Sequence, residues 1–180
     1  NSGIEIRELI SLANKHPRVN ILSPGPGVGG HCIAVDPWFI VAENPQNAKL
    51  IKTARQVNDH KPIWVIDQVS KAISSLQTNI KRKPRLGCLG VTFKPNVGDL
   101  RESPSLSIVL KLSKLGFDVK VYDPHVMPNF APELDFVAEE QLLSSCDFVI
   151  CLVKHAEFLK LNLEKHIKNK TIIDFCGLLS

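Results

Sequence analysis

Arg85-Leu86-Gly87-Cys88-Leu89-Gly90-Val91 is the stretch that decides the fold. It is a short apolar run between a basic linker and a long polar loop, which is typical of a strand buried on both faces of a parallel sheet. Helices and strands then alternate: helix 104–115, strand 118–122, helix 139–145, strand 148–153, helix 159–167 and strand 171–174. Because such alternation produces a parallel sheet with helices on both faces, the sequence predicts a Rossmann-like domain over residues 81–180.

The segment before this domain has a different pattern of apolar residues. Apolar residues recur at helical spacing over residues 48–77, and Pro62 predicts a kink or a break there. A helix of this length connects domains or builds an interface, although a plain core helix fits the pattern equally well. We expect an α/β protein in which a central helical segment, residues 1–80, supplies a long connecting helix to the sheet domain.

Composition narrows the class of protein. The chain has 180 residues, is 44% hydrophobic and carries a net charge of +4. No apolar run reaches the roughly 18–20 residues that a membrane span needs, and the lysines are scattered, so neither a membrane nor nucleic acid is an expected partner. The five cysteines form no CxxC pair, which argues against a metal site and for a cytoplasmic protein. The chain has neither a signal peptide nor an initial Met, and we expect it to be a fragment.

The first loop that is a candidate for ligand binding or catalysis is the glycine loop, residues 25–32. Gly25, Gly27 and Gly30 match GxGxxG by spacing, but no buried strand precedes them and Pro37 follows closely, so a dinucleotide fingerprint is rejected. Glycines at this density allow the backbone to approach a ligand closely. The alternative is a purely structural turn.

Cys32 ends the glycine loop and is a candidate nucleophile. A thiolate there could attack an electrophilic carbon, with His31 and Asp36 close in sequence. The other four cysteines lie among large apolar residues and are expected in the core. A cysteine hydrolase would use the same residue types, so these residues alone do not choose the reaction.

The second such loop is the Lys94 loop, residues 90–104. It joins a strand to a helix, which is where open α/β sheets bind ligands and where a helix start can hold a phosphate. Lys94 and Arg101 supply positive charge, and Asp99 and Glu102 could orient them. A diphosphate ligand fits this loop. The alternative is a loop braced by its own ion pairs.

Two further positions complete the description of this domain. Ser103 before Pro104 is a predicted N-cap. Asp123 follows the second strand, where dinucleotide-binding domains place a ribose-binding acid. Since the Lys94 loop lacks the glycine fingerprint, we expect the domain to bind a nucleotide other than NAD.

Together the two loops resemble those of the UDP-glucose/GDP-mannose dehydrogenase family. Gly-Gly-His-Cys-Ile-Ala-Val-Asp-Pro, residues 29–37, is similar to its catalytic-cysteine segment, and residues 93–104 are similar to its nucleotide-sugar loop. The resemblance extends over essentially the whole chain and implies a UDP-sugar-binding domain at residues 81–180. It also implies that the family's NAD-binding domain lies N-terminal to this chain, so that this chain alone is inactive.

Within the family, the cysteine segment is most similar to that of enzymes that oxidise UDP-N-acetylhexosamines, UDP-N-acetyl-D-mannosamine in particular. Enzymes of the UDP-glucose type carry Ser where His31 stands and Lys where Val35 stands. No residue of this sequence is assigned to the role of that Lys. Enzymes acting on UDP-N-acetylglucosamine share the His-Cys and Asp-Pro pairs and remain an alternative, as does a non-catalytic nucleotide-sugar-binding module.

The resemblance implies a reaction and a set of site residues. The family transfers two hydrides from the sugar C6 alcohol to NAD through a cysteine-bound thiohemiacetal and thioester, which assigns Cys32 as the nucleophile and Asp36 to the water. Arg101 is assigned to NAD, and Arg18 is similar to an arginine that crosses the interface of a homodimer. The residues assigned to substrate binding are Arg18, Gly29, Gly30, His31, Phe93 and Lys94.

Overall fold

The computed structural model describes residues 3–76, 82–161, 163 and 170–179. The helices are α1 (Ile6–Ala13), α2 (Asp36–Glu43), α3 (Lys49–Leu76), α4 (Pro104–Lys114) and α5 (Glu139–Ser145). The strands are β1 (Arg85–Leu89), β2 (Asp118–Tyr122), β3 (Asp135–Phe136), β4 (Phe148–Cys151) and β5 (Thr171–Asp174). Short 3-10 helices cover Pro128–Phe130 and Glu157–Lys160.

The strands form one parallel sheet in the order β3-β2-β1-β4-β5. β1, the strand with which the sequence analysis began, lies at the centre, where Leu86 pairs with Val119 on one side and Phe148 on the other. The predicted Rossmann-like fold is thereby confirmed. β3 was not predicted, and the strand predicted over residues 148–153 ends at Cys151. In the predicted helix 159–167, residues 159–160 belong to a 3-10 helix, while residues 162 and 164–167 lie outside the described part.

Helices cover both faces of the sheet. α3 and α4 pack on one face, where Leu86, Ile108 and Ile150 are fully buried. α5 packs on the other, and its Leu142 lies so close to Gly87 that a Cβ there would be 2.5 Å from Leu142 Cδ2. Each fully buried aliphatic side chain contributes on the order of 1.5–3 kcal/mol, so these two layers hold the strand ends in place.

Pro62 lies inside α3, which runs as one helix from Lys49 to Leu76, so that of the predicted kink or break the break is wrong. Proline has no N–H to donate to the carbonyl four residues earlier. That carbonyl belongs to Asn58, and it lies beside Gly27, whose added Cβ would be 3.8 Å from it. The Asn58 carbonyl, which receives no hydrogen bond from Pro62, therefore faces the glycine loop.

The two halves of α3 have different environments. Val65, Val69 and Ile73 are buried with the sheet core, whereas Leu50 and Val57, in the first half, are 83% and 69% exposed. α1 has no buried residue. None of the helices in the described ranges has both the length and the apolar character that a membrane span requires.

Candidate functional site

The glycine loop packs directly on the Lys94 loop. Gly29 lies against the main chain of Glu102, and Gly30 lies against the ring of Phe93, so closely that an added Cβ would be 2.1 Å from the Glu102 carbonyl oxygen and 2.9 Å from Phe93 Cε2. Gly30 also has a φ of 97°, which side-chain-bearing residues rarely adopt. Two segments about 60 residues apart in sequence thus form one surface.

Asn58 of α3 holds the glycine loop from behind. Its Oδ1 accepts from the Val28 N–H at 2.7 Å, and its Nδ2 donates to the Val28 carbonyl at 3.0 Å. The side-chain amide of Asn58 thus bonds to both backbone groups of Val28, as the main chain of a paired β-strand does. Sequence analysis missed this residue, although an Asn inside a helix, four residues before a Pro, is a signal, because Asn side chains tend to bond to backbone groups outside helices.

Cys32 lies in the turn that leads into α2, and it is the exposed member of the five cysteines. Its carbonyl accepts from the N–H groups of Val35 and Asp36 at 3.0 Å and 2.8 Å. These bonds fix the turn, and Asp36 becomes the first residue of α2. A carboxylate at that position is favoured by the helix dipole.

Arg101 and Asp99 form a forked ion pair within the Lys94 loop, with Nη2 2.6 Å from Oδ2 and Nε 3.0 Å from Oδ1. The hydrogen bonds from Arg101, with smaller electrostatic contributions from Arg101 and the nearby His31, lower the pKa of Asp99 to about 2. The pKa of Arg101 is raised, first by the bond to Asp99 and also by a charged Cys32. The expected internal ion pair is present, and its charges lie within electrostatic range of the Cys32 segment.

A cavity of about 450 Å³ lies between the glycine loop and the carboxyl ends of β1, β4 and β5. This volume suits a small-molecule ligand, and the carboxyl end of a parallel sheet is where such ligands bind. Lys94, Lys154 and Ser105 supply polar groups to its wall, and the apolar wall includes Leu22, Ile33, Phe93, Leu152 and Val153. Lys154 also donates to the Gly177 carbonyl at 2.5 Å. Sequence analysis missed Lys154, although a lysine just after a strand at this edge is a detectable signal.

Ser103 caps α4 as predicted, accepting from the Leu106 N–H at 3.2 Å. Its hydroxyl also donates to the Val91 carbonyl at 2.7 Å, which ties the start of α4 to the end of the central strand. Ser105, in the first turn of α4, lies in the cavity wall. The helix start is therefore placed where a phosphate group could approach it.

Asp123 is buried and points into the fold. Its carboxylate accepts from the Val91 N–H at 2.8 Å and from the His125 N–H at 2.9 Å. Burial raises the pKa of Asp123, but these bonds and one from His155 outweigh burial, and the net effect lowers the pKa. Both carboxylate oxygens of Asp123 therefore bond within the fold.

The remaining candidates lie at the surface. Arg18 is exposed in the turn after α1, where its N–H donates to His16 Nδ1 at 3.3 Å, and it is outside the set of residues that line the cavity. His31 is exposed beside Cys32. Lys94 is exposed, with its Nζ 5.4 Å from the centre of the Phe93 ring.

Comparison with known proteins decides the family. Residues 87–180 match the sequence model described as "UDP-glucose/GDP-mannose dehydrogenase family, UDP binding domain", and residues 1–60 match the one described as the central domain of the same family. The chain belongs to the UDP-glucose/GDP-mannose dehydrogenase family. The family resemblance stated from the two loops is confirmed.

Individual relatives agree with this family. The chain is 48% identical to the UDP-N-acetyl-D-mannosamine dehydrogenase of Escherichia coli K12, with 98% of this chain and 44% of that protein aligned. It is 47% identical to the NDP-N-acetyl-D-galactosaminuronic acid dehydrogenase of Ralstonia nicotianae, with 99% and 41% aligned. The solved UDP-D-ManNAc dehydrogenase of Pyrococcus horikoshii superposes with a TM-score of 0.83 at 31% identity, covering 99% of this chain and 42% of that one. The chain thus spans less than half of each of these family members.

Proposed function

We propose that this chain is the C-terminal part of an NAD-dependent UDP-N-acetyl-D-mannosamine 6-dehydrogenase. The observation that carries the proposal is the packing of Gly29 and Gly30, next to Cys32, on the Lys94 loop at the carboxyl edge of the sheet. Gly29 and Ile33, which flank Cys32 in the sequence, line the same cavity as Phe93 and Lys94, so the candidate nucleophile lies next to the candidate phosphate-binding loop although Cys32 itself is outside the cavity lining. The names of the relatives that align with nearly the whole chain support the substrate class.

The substrate is proposed to lie in the cavity, with its diphosphate near Lys94 and the start of α4. Phe93 and Gly29 lie in the cavity wall, and Gly30 and His31, which follow Gly29 in the glycine loop, are proposed to border the sugar. Arg18 is exposed and is outside the cavity lining of this chain, and it is proposed to reach the site of a second copy. The exposed apolar residues of α1 and of the first half of α3 support such a homodimer, because surfaces of this kind are covered in interfaces.

The Cys32 thiolate is the proposed nucleophile. The sugar C6 alcohol loses a hydride and a proton to become an aldehyde, and Cys32 Sγ adds to the aldehyde carbon while the oxygen takes up a proton. Loss of a second hydride and of the hydroxyl proton converts this thiohemiacetal to a thioester. Water, oriented by Asp36, then hydrolyses the thioester to a carboxylate and frees the thiol. Covalent capture keeps the aldehyde from escaping between the two oxidations.

NAD⁺, when bound, would supply the hydride acceptor, and the two oxidations would consume two NAD⁺ molecules in turn. In the part of the chain that the structure describes, the Lys94 loop lacks the glycine fingerprint and both carboxylate oxygens of Asp123 bond within the fold, which supports the proposal that the dinucleotide site lies elsewhere. Arg101 is the residue of this chain proposed to contact NAD, and the NAD-binding domain is proposed to lie outside it. The chain alone is therefore expected not to reduce NAD.

Two features concern the identity of the sugar. His31 and Val35 depart from the UDP-glucose pattern, which favours an N-acetylhexosamine. A relative at 47% identity is named for an N-acetyl-D-galactosaminuronic acid, so the galacto configuration is the second candidate. UDP-N-acetylglucosamine, UDP-glucose and a non-catalytic binding role complete the alternatives. The enzyme is proposed to act in the cytoplasm and to supply a uronic acid for polysaccharide biosynthesis.

Calorimetric titration of this chain with UDP and, separately, with NAD tests the proposal. Binding of UDP without binding of NAD supports it. Binding of NAD without UDP would contradict it, because the Lys94 loop would then belong to the cofactor. Titration of the form that carries the NAD-binding domain with the UDP derivatives of N-acetylmannosamine, N-acetylgalactosamine, N-acetylglucosamine and glucose then ranks the sugars.

A further inference from the structure

Beneath the Lys94 loop lies a buried network of hydrogen-bonded polar groups that the proposed reaction does not use. The side chains of His155 and Asp123 are both fully buried, and His155 Nε2 lies 3.2 Å from Asp123 Oδ2. The other ring nitrogen of His155, Nδ1, accepts from the Asn96 N–H at 2.9 Å. This network of hydrogen bonds connects the residue after β2, the loop after β4 and the Lys94 loop.

The hydrogen-bond partners assign the tautomer of His155. Because the Asn96 N–H can only donate, His155 Nδ1 carries a lone pair, and the proton is on Nε2. Nε2 then donates to the Asp123 carboxylate, which can only accept. The Thr92 hydroxyl, 3.2 Å from Nε2, donates instead to the Lys94 carbonyl at 3.0 Å. Every donor in this chain of bonds meets an acceptor.

A second bond locks the same two loops together. Asn96 Oδ1 accepts from the Ala156 N–H at 2.8 Å, while the Asn96 N–H donates to His155 Nδ1. Asn96 has a φ of 60°, a conformation that Asn tolerates better than most residues. The two bonds fix Asn96 in the left-handed region, two residues after Lys94.

We propose that His155, oriented by Asp123, is a positioning residue that fixes the Lys94 loop and so places Phe93 and Lys94 at the nucleotide sugar. The proposal rests on the proposed function for its ligand. His155 itself touches no substrate, since its side chain is fully buried behind the loop. Its effect reaches the substrate through Asn96 and through the main chain of residues 92–96.

A metal site is the competing role for this region. His125, His155 and Glu157 offer ligand atoms within 4.8 Å of one another. His155, however, has both ring nitrogens engaged, one by the Asn96 N–H and the other by Asp123. His125 Nε2 is 3.2 Å from Glu157 Oε2, which forms a separate pair nearer the surface. Ligation by His155 would require breaking the bond that holds the loop, so the geometry favours positioning.

Two substitutions at His155 distinguish the contributions of the hydrogen bonds made by its two ring nitrogens. His155→Asn carries an amide oxygen near the position of Nδ1, so the acceptor for Asn96 is retained. His155→Gln carries its amide near the position of Nε2, so the bond to Asp123 is retained and the acceptor for Asn96 is lost. His125→Gln is the matched control, because His125 stacks on His155 at 4.8 Å but makes no bond to the Lys94 loop.

The expected result is a split between these variants. Loss of the hydrogen bond to the loop weakens UDP binding of His155→Gln by about three- to tenfold. His155→Asn keeps that bond and loses only the orienting bond to Asp123, so it is expected to lose less affinity than His155→Gln, while His125→Gln stays within about twofold of the parent chain. Hydrogen exchange at the amides of residues 92–94 and 96 is expected to rise most in His155→Gln. Equal UDP affinity and equal exchange in His155→Gln and the parent would overturn the proposal, as would equal losses in the Asn and Gln variants.

Asn96→Gly provides a second route if His155 variants do not fold. Glycine adopts the required φ and keeps the N–H bond to His155, but it removes the bond to Ala156. If the bond to His155 fixes the loop, exchange in the loop and UDP binding are expected to stay close to those of the parent, whereas a large loss of both would show that the bond to Ala156 holds the loop and would overturn the proposal. If the parent chain binds no UDP, the proposed function fails, whereas the exchange comparison between the His155 variants still decides the positioning role.

Discussion

Gly29 lies against the main chain of Glu102, and a Cβ at Gly29 would be 2.1 Å from the Glu102 carbonyl oxygen. The contact requires glycine because of the close approach of two backbones. It is also the contact that brings the Cys32 segment onto the Lys94 loop. A backbone carbonyl cannot move aside as a flexible side chain can, so any larger residue must separate the two loops.

Gly29→Ala is therefore expected to destabilise the chain by about 1–3 kcal/mol, the usual cost of overpacking a tight contact. Gly25→Ala is the matched control in the same loop, since a Cβ there meets nothing within 4 Å. The control is expected to stay within about 0.5 kcal/mol of the parent. Urea unfolding measures both, and equal midpoints for the two variants would contradict the packing described.

Cys32 is expected to be the first cysteine to react with an alkylating reagent in the folded chain. It is exposed, whereas burial raises the pKa of Cys88, Cys146 and Cys151, and raises that of Cys176 to about 12. Thiolates react and buried thiols do not, so labelling follows exposure. Peptide mass spectrometry after brief treatment with iodoacetamide measures the order. Cys32→Ser is the control, and earlier labelling of Cys176 would refute the expectation.

The sheet could be predicted because its strands and helices carry long local signals. β1 is a continuous apolar run, and α4 has Pro at its start and Gly116 just after its end. β3 could not be predicted, because two residues, Asp135–Phe136, have no periodicity of their own and are defined only by pairing with β2. The break at Pro62 was expected from a local rule, and packing of α3 on the core overrides it.

Only part of the candidate site has a signal in the local sequence, for a related reason. Cys32 and Lys94 stand in recognisable segments, and the structure brings the segments together. Asn58 and His155 act across 30 and 59 residues of sequence, on Val28 and Asn96 respectively. Which helix face or strand end meets a loop is decided by the three-dimensional packing of distant elements. A single sequence does not contain that information in local form.

Asn58→Ala is expected to lower the free energy of unfolding by about 1–3 kcal/mol, since two hydrogen bonds to Val28 are lost and each is worth about 0.5–1.5 kcal/mol. The released glycine loop is also expected to become more sensitive to proteolysis. Thr53→Ala on the exposed side of α3 is the control, because its hydroxyl bonds only within the helix, to the Lys49 carbonyl. Similar proteolysis of both variants would argue against a role for Asn58 in holding the loop.

Lys94→Met is expected to weaken UDP binding by about tenfold to a hundredfold, because a hydrogen bond from an ammonium group to a phosphate is among the stronger contacts. The salt dependence of UDP binding is expected to fall in the same variant. Lys114→Met at the end of α4 is the control, since it removes the same charge far along the helix from the cavity wall near Ser105. Calorimetric titration at two salt concentrations measures both effects, and equal affinities for the two variants would contradict the diphosphate assignment.

Asp174 is expected to make the chain sensitive to acid. Burial raises the pKa of Asp174, but N–H bonds from Cys176, Gly177 and Leu179 outweigh it and the net pKa is lowered. A carboxylate with a folded-state pKa below the unfolded value of about 3.9 contributes stability that is present above the unfolded pKa and is lost as the pH falls through the folded pKa. The free energy of unfolding is therefore expected to fall below about pH 4.

The substitution Asp174→Asn tests this assignment, because the amide oxygen can still accept hydrogen bonds while the titrating charge is removed. The variant is expected to be less stable than the parent at pH 6 and to lose less stability between about pH 5 and pH 3, so that the two curves converge in acid. Urea unfolding at a series of pH values measures the slopes. Parallel curves for the parent and the variant would mean that Asp174 titrates alike in the folded and unfolded chain, and that the N–H bonds around it do not hold its charge.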